Sequence, residues 1–141
     1  MNKAYLGIDY GRKRIGLALS ESGLIAKPLY TVENKGVKKN LAYLVNSIMQ
    51  QNIGFVVFGL PLNANGSVGD MATEVHGFAK QLSIVAGVKI AFQDERYSSI
   101  EAEDYIRSVM GITDRKKIAQ LIDSVAATMI LNEYLEKGEN K

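Results

Sequence analysis

The 141-residue chain has no cysteine, no tryptophan, two prolines and a single histidine. The missing cysteine excludes a disulfide framework and any thiolate metal site. Charge of one sign is also lacking. Seventeen Lys and Arg face fifteen Asp and Glu, and a net charge of +2 is too slight to demand a polyanionic partner. No apolar run approaches the length of a bilayer, so no membrane partner is expected. Met1-Asn2-Lys3-Ala4-Tyr5 leads into a strand-like segment, without the apolar stretch and small-residue cleavage site of a signal peptide. A cytoplasmic protein is the expectation. No repeat, low-complexity tract or Pro/Gly-rich linker divides the chain, which predicts one domain over residues 1–141.

What is present is an apolar fraction of 47%, enough for a real core, and two kinds of periodicity. Leu6-Gly-Ile8 and Ile15-Gly-Leu17-Ala-Leu19 read as strands joined by a tight turn at Tyr10-Gly11-Arg12-Lys13. Ile25 to Val32 completes an antiparallel meander. Apolar residues at helical spacing predict a helix over Val37–Gln50, and Met71, Val75, Phe78, Leu82 and Val85 predict a second. Two further strands are expected at Ile53–Phe58 and Val88–Phe92. Ile100, Tyr105, Ile106 and Val109 suggest a third helix, and a fourth runs from Asp114 to Leu135, with a polar tail from Glu136 that should fray. Three strands followed by alternating helices and strands imply an α/β fold. Its five-stranded mixed sheet, a meander plus two parallel strands, is flanked by helices.

Ligands collect at the carboxyl ends of strands in such sheets, and acids stand there. Asp9 ends the first strand; Asp94 and Glu95 end the fifth. Alternation lets only one of that pair join Asp9. Asp123 sits on the last helix beside an apolar stripe, with Ala126 and Ala127 small enough to let the helix lie close to a sheet. A carboxylate there is expensive to bury without a compensating positive charge. Carboxylates from separate segments, with no cysteine and one histidine, suit Mg2+ or Mn2+. Two such ions can activate water and stabilise the leaving oxygen of a phosphodiester. Each acid taken singly has a plainer explanation as a turn former, cap or ion-pair partner; the trio together carries the catalytic reading.

Basic residues cluster in three places: Arg12-Lys13-Arg14, Lys35 with Lys38-Lys39, and Arg115-Lys116-Lys117. Cations at the start of a helix oppose its dipole, so Lys116 and Lys117 are candidates for phosphate contact. The Gly59–Ser67 segment, with Asn63, Asn65 and Ser67, reads as a substrate-facing loop ahead of a helix whose amino end favours anions. Arg96 is placed to bind phosphate or pair with an acid. His76 is expected to be an ordinary helix residue.

Four segments resemble the YqgF/RuvX family of pre-16S rRNA nucleases and Holliday-junction-resolvase-like proteins. They are Gly7-Ile-Asp-Tyr-Gly-Arg-Lys-Arg-Ile-Gly-Leu-Ala18, Val57-Phe-Gly-Leu-Pro-Leu-Asn-Ala-Asn-Gly-Ser67, Asp94-Glu-Arg-Tyr-Ser-Ser99 and Lys117-Ile-Ala-Gln-Leu-Ile-Asp-Ser-Val-Ala-Ala127. Their order and spacing span nearly the whole chain. The resemblance implies a ribonuclease-H-like fold and an acidic metal site at Asp9, Glu95 and Asp123, choosing Glu95 over Asp94. It implies a metal-dependent nuclease maturing the 5′ end of pre-16S rRNA, or a resolvase of branched DNA; a resolvase acting on two strands would use a two-fold homodimer. The family often has Leu-Thr-Thr where this chain has Tyr97-Ser98-Ser99, a change that keeps the hydroxyls. With no aromatic platform evident for stacking bases, recognition through shape and phosphate is expected. Two rivals remain. Asp9-Tyr10-Gly11 also fits the phosphate turn of hexokinase-like phosphotransferases, which need two such domains; and the chain could be an RNA-binding assembly factor with idle acids.

Overall fold

Large and small residues alternate along the first two strands, and that alternation decides which layer covers which side of the sheet. The computed structural model describes residues 3–139 except 64, 96 and 97. Strands β1 (Ala4–Tyr10), β2 (Arg14–Ser20) and β3 (Lys27–Glu33) form the expected meander. Helix α1 (Val37–Gln50), β4 (Ile53–Leu60), α2 (Asp70–Ala86), β5 (Lys89–Asp94), α3 (Ser98–Ser108) and α4 (Arg115–Glu139) follow. The sheet order is β3-β2-β1-β4-β5, with β4 parallel to both β1 and β5. The mixed five-stranded sheet is therefore as the sequence predicts, and the carboxyl ends of β1, β4 and β5 lie side by side.

One face of the sheet is a conventional apolar core. Leu6, Ile8, Leu17, Val56 and Phe58 are fully buried there, under Leu44 and Ile48 of α1 and Phe78 and Leu82 of α2. Tyr10 and Phe58 both meet the Phe78 ring, at centroid distances of 4.5 and 6.1 Å. The opposite face carries α4, which packs across β1, β2 and β3 through Ala127, Ile130, Leu131 and Leu135. Helix α3 does not reach the sheet core; it packs on α4 through Ala102, Ile106, Ile118, Val125 and Ala126.

Four expectations need correction. The third strand starts at Lys27, not Ile25, because the Ala26 N–H donates to Asn132 Oδ1 of α4 (2.8 Å) and Ile25 is exposed. Ile100 and Tyr105 of α3 are exposed, as is Val109 just past its end, since Ala102 and Ile106 form the helix's contact stripe. On α2 the stripe passes from Leu82 to Ala86, one turn on, which leaves Val85 outside. Finally, α4 runs from Arg115 to Glu139 and so ends beyond the Leu135 expected from the sequence. Leu135 is buried and Lys137 reaches Glu133 one turn earlier (3.7 Å). Among the described residues no helix is long and apolar enough to cross a membrane.

Candidate active site

Strand alternation sends Leu6, Ile8 and Tyr10 of β1 into the core beneath α1 and α2, so Asp9 faces α4. Its partner across the ladder is Gly16 of β2. That glycine is the floor of the site. A Cβ there would lie 2.0 Å from the Asp123 carbonyl oxygen and 2.8 Å from the Asp123 Cβ. Only a residue without a side chain lets α4 rest on the strand backbone at this point. The contact sets Asp123 beside Asp9, although they are far apart in sequence.

Glu95 arrives by a second close approach. Its N–H donates to the Leu60 carbonyl (3.2 Å), carrying the β4–β5 pairing one residue beyond Asp94. A Cβ at Gly59 would stand 2.7 Å from Glu95 Oε1, so the carboxyl occupies the space that Gly59 leaves open. Glu95 also hydrogen-bonds Asp9. Asp94 is more exposed and pairs in register with Leu60.

The electrostatics tie the three acids together. Burial pushes the Asp9 carboxyl up to about 6, the hydrogen bond from Glu95 pulls it down, and the negative charge of Asp123 raises it again. Asp123 is held in turn by Arg14, whose Nε donates to Oδ2 at 2.7 Å; the guanidinium is held more firmly protonated by that bond and charge. Among the described residues no three acidic or imidazole side chains already form a closed metal cage. The donor set nonetheless fits a hard divalent cation: oxygen ligands only, with negative charge that one guanidinium at the rim offsets in part.

A family model described as "RuvX: Holliday junction resolvase" matches residues 3–137. The chain belongs to the RuvX family. Relatives named "Putative pre-16S rRNA nuclease" include one from Carboxydothermus hydrogenoformans, 41% identical over 96% of this chain and 98% of its own, and one from Syntrophomonas wolfei, 39% identical over 94% of each. Among solved structures, Thermus thermophilus RuvC with its Holliday junction substrate superposes with a TM-score of 0.62 over 99% of this chain and 97% of that one, at 16% identity. The fowlpox virus resolvase in complex with junction DNA gives 0.59, covering 95% and 97%, at 15% identity. These likenesses establish the ribonuclease-H-like fold.

The remaining candidates in this RuvX chain divide by position. Arg12 and Lys13 occupy the exposed β1–β2 turn, with Arg12 paired to Glu74 of α2 (2.9 Å). The turn is braced from beneath. Asn34 donates through its side chain to the Gly11 carbonyl (2.8 Å) and through its backbone to that of Lys13 (2.9 Å); buried Asn40 donates to Asn34 Oδ1 (2.8 Å) and Tyr10 Oη (3.2 Å). The sequence reading missed this brace, for which the two asparagines were the only signal. Lys116 and Lys117 are exposed in the first turn of α4. Lys116 lies seven residues before Asp123, hence on the same helical flank about 10 Å away. Lys117 donates its backbone N–H to the capping carboxylate of Asp114 (3.2 Å).

The loop residues are tied to one another. Asn63, Asn65 and Ser67 bond one another: Asn63 Nδ2 to Ser67 Oγ (3.0 Å), and Ser67 Oγ to Asn65 Oδ1 (2.7 Å). They brace the loop first. Ser67 also stands clear of α2, whose cap is Gly69 and whose first turn already holds Asp70, a competitor for any anion. Arg96 lies outside the described residues. His76 is exposed and lies tilted against Phe92, with ring centroids 4.3 Å apart.

Proposed function

We propose that this RuvX chain is a divalent-metal-dependent nuclease that hydrolyses phosphodiester bonds of structured nucleic acid in the cytoplasm. The observation that carries this reading is the convergence of Asp9, Glu95 and Asp123 at the carboxyl edge of β1 and β5, with Asp9 pushed up to about 6 by burial and neighbouring charge. Mg2+ or Mn2+ at these carboxylates would supply a Lewis acid for the phosphodiester and an activated water. Asp9 and Glu95 would hold the cation from the edge of the sheet, and Asp123 would complete the set from α4. Gly16 and Gly59 fix the spacing. In hydrolysis the water oxygen bonds to phosphorus, one phosphorus–oxygen ester bond breaks, and the departing alcohol takes a proton. Around this edge Arg12, Lys13, Arg14, Lys116 and Lys117 supply positive charge for flanking phosphates, and the loop residues Asn63, Asn65 and Ser67 present a braced polar surface; Arg96 joins the phosphate-binding set on its place in the sequence alone.

The relatives' shared name favours precursor 16S rRNA as the substrate, and the family resemblance of the sequence adds cleavage at its 5′ end as the proposed reaction. A second reading, cleavage of four-way DNA junctions, is favoured by the description of the matching family model. The deciding experiment incubates wild type and Asp9→Asn with labelled precursor rRNA and with four-way junctions, in Mn2+, Mg2+ or EDTA. Metal-dependent cutting by wild type alone is expected, and the metal concentration it needs should fall as pH rises through about 6, because a proton on Asp9 competes with the cation. Binding without cutting under every metal would replace the nuclease with an RNA-binding assembly factor.

A further inference from the structure

Arg14 holds an unusual place for a substrate-binding cation, because it is bonded to one of the proposed metal ligands. It stands at the start of β2, two residues before Gly16 and on the same side of the strand. Gly16 seats the Asp123 backbone, and Arg14 Nε grips Asp123 Oδ2 at 2.7 Å. Both contacts on Asp123 thus come from one short stretch of β2. The guanidinium is half exposed and the carboxylate mostly covered, with side-chain exposures of 50% and 19%. The cation can therefore leave toward solvent, while the carboxylate cannot.

From this geometry we infer that Arg14 is an internal counter-ion of Asp123 that competes with a divalent cation for its carboxylate. The inference rests on the metal site proposed above. Two effects act in the same direction: the bond withholds Oδ2 from a metal, and the guanidinium's own charge repels a cation arriving beside it. Once released, Arg14 remains tethered at the rim next to the Arg12-Lys13 turn, where a nucleic-acid phosphate replaces Asp123 as its partner. Arg14 thereby links loading of the site to engagement of substrate. It is a positioning residue; its action on the metal runs through Asp123.

The test measures two affinities that a latch moves in opposite directions. Mn2+ binding is titrated by electron paramagnetic resonance or calorimetry without nucleic acid, on wild type, Arg14→Gln, Asp123→Asn and the double variant. An exposed ion pair is worth up to about 1 kcal/mol, so Arg14→Gln is expected to bind Mn2+ about three- to five-fold more tightly. The gain should vanish in the Asp123→Asn background. In Ca2+, binding of a duplex RNA and of a four-way junction should weaken in Arg14→Gln. A variant that merely loosens the fold would weaken both affinities. Unchanged or weaker Mn2+ binding in Arg14→Gln, or a gain that persists without the Asp123 carboxylate, overturns the latch. If no variant binds Mn2+ at all, the metal site itself falls and the latch with it.

Discussion

The two faces of the sheet use opposite packing rules. Beneath α1 and α2 the strands offer large side chains, Leu6, Ile8, Leu17 and Phe58, which fill space between layers. Beneath α4 the same strands offer Gly16, Ala18, Val57 and Gly59, so the helix lies against backbone. The first face holds the fold by volume. The second gives up apolar volume for closeness, and closeness is what brings a helix carboxylate within reach of two strand-end carboxylates. The same alternation along β1 that aims Ile8 into the core aims Asp9 at the site.

Substitutions that reverse the rule on each face should therefore damage the protein by opposite routes. On the filled face, Phe58→Ala leaves a cavity under the Phe78 ring. It should lower unfolding stability by about 4 kcal/mol. On the close face, Gly16→Ala adds one carbon that meets the Asp123 carbonyl at 2.0 Å, so strand or helix must move. About 3 kcal/mol of stability should be lost, the upper end of the overpacking range. Urea melts would order the two. Nuclease activity separates them further: Phe58→Ala should retain cutting below its melting point, while Gly16→Ala should lose it even where folded.

Stability on the close face is also traded against charge, and the direction follows from Asp9. Its carboxyl is pushed from 3.8 up to about 6, so the folded state binds the proton more tightly than the unfolded chain. The stability this contributes is present below about pH 4 and is lost as pH rises through 6. Two units correspond to about 3 kcal/mol, reduced at the solvent-facing edge of the side chain to about 2. Asp9→Asn should thus abolish cutting and yet raise the thermal midpoint of the metal-free protein at pH 8. At pH 4 the two proteins should melt together. Equal midpoints at both pH values would mean that Asp9 is not penalised by its surroundings.

The sequence exposes one face far better than the other. Period-two and period-3.6 patterns identify β1, β2, α1 and α2 because large buried side chains leave a visible rhythm, whereas three of the four residues that marked α3 are exposed. Acids at strand ends point to the site edge for the same reason. The spacing within the site is not readable in that way. Ile15-Gly16-Leu17-Ala18-Leu19 does alternate large with small, a hint that something lies against the small side, but nothing in the chain says that Asp123 lies there. The Arg14–Asp123 pair joins residues 109 positions apart and depends wholly on how α4 crosses β2. The bonding of Asn63, Asn65 and Ser67 to one another is hidden for a related reason: polar loop residues serve their own backbone and one another as readily as a ligand.

Gly59 offers the finest test of the close face, because its neighbours are side-chain ends rather than backbone. A Cβ there would meet Ile130 Cδ1 at 2.6 Å and Glu95 Oε1 at 2.7 Å, and both can swing aside. Gly59→Ala should therefore destabilise the protein by only about 1 kcal/mol, the lower end of the overpacking range. Its effect should be electrostatic. Displacing the Glu95 carboxyl removes the hydrogen bond that lowers Asp9, while burial and the charge of Asp123 still raise it. The Asp9 carboxyl should then titrate above 6 when no metal is added. Carbon-detected NMR titration of the Asp9 carboxyl in wild type and Gly59→Ala measures this directly. An upward shift with little change in melting would show that the empty space at Gly59 exists to seat Glu95. An unmoved titration would mean that Glu95 reaches Asp9 without needing that space, and the close-packing rule would then apply to Gly16 alone.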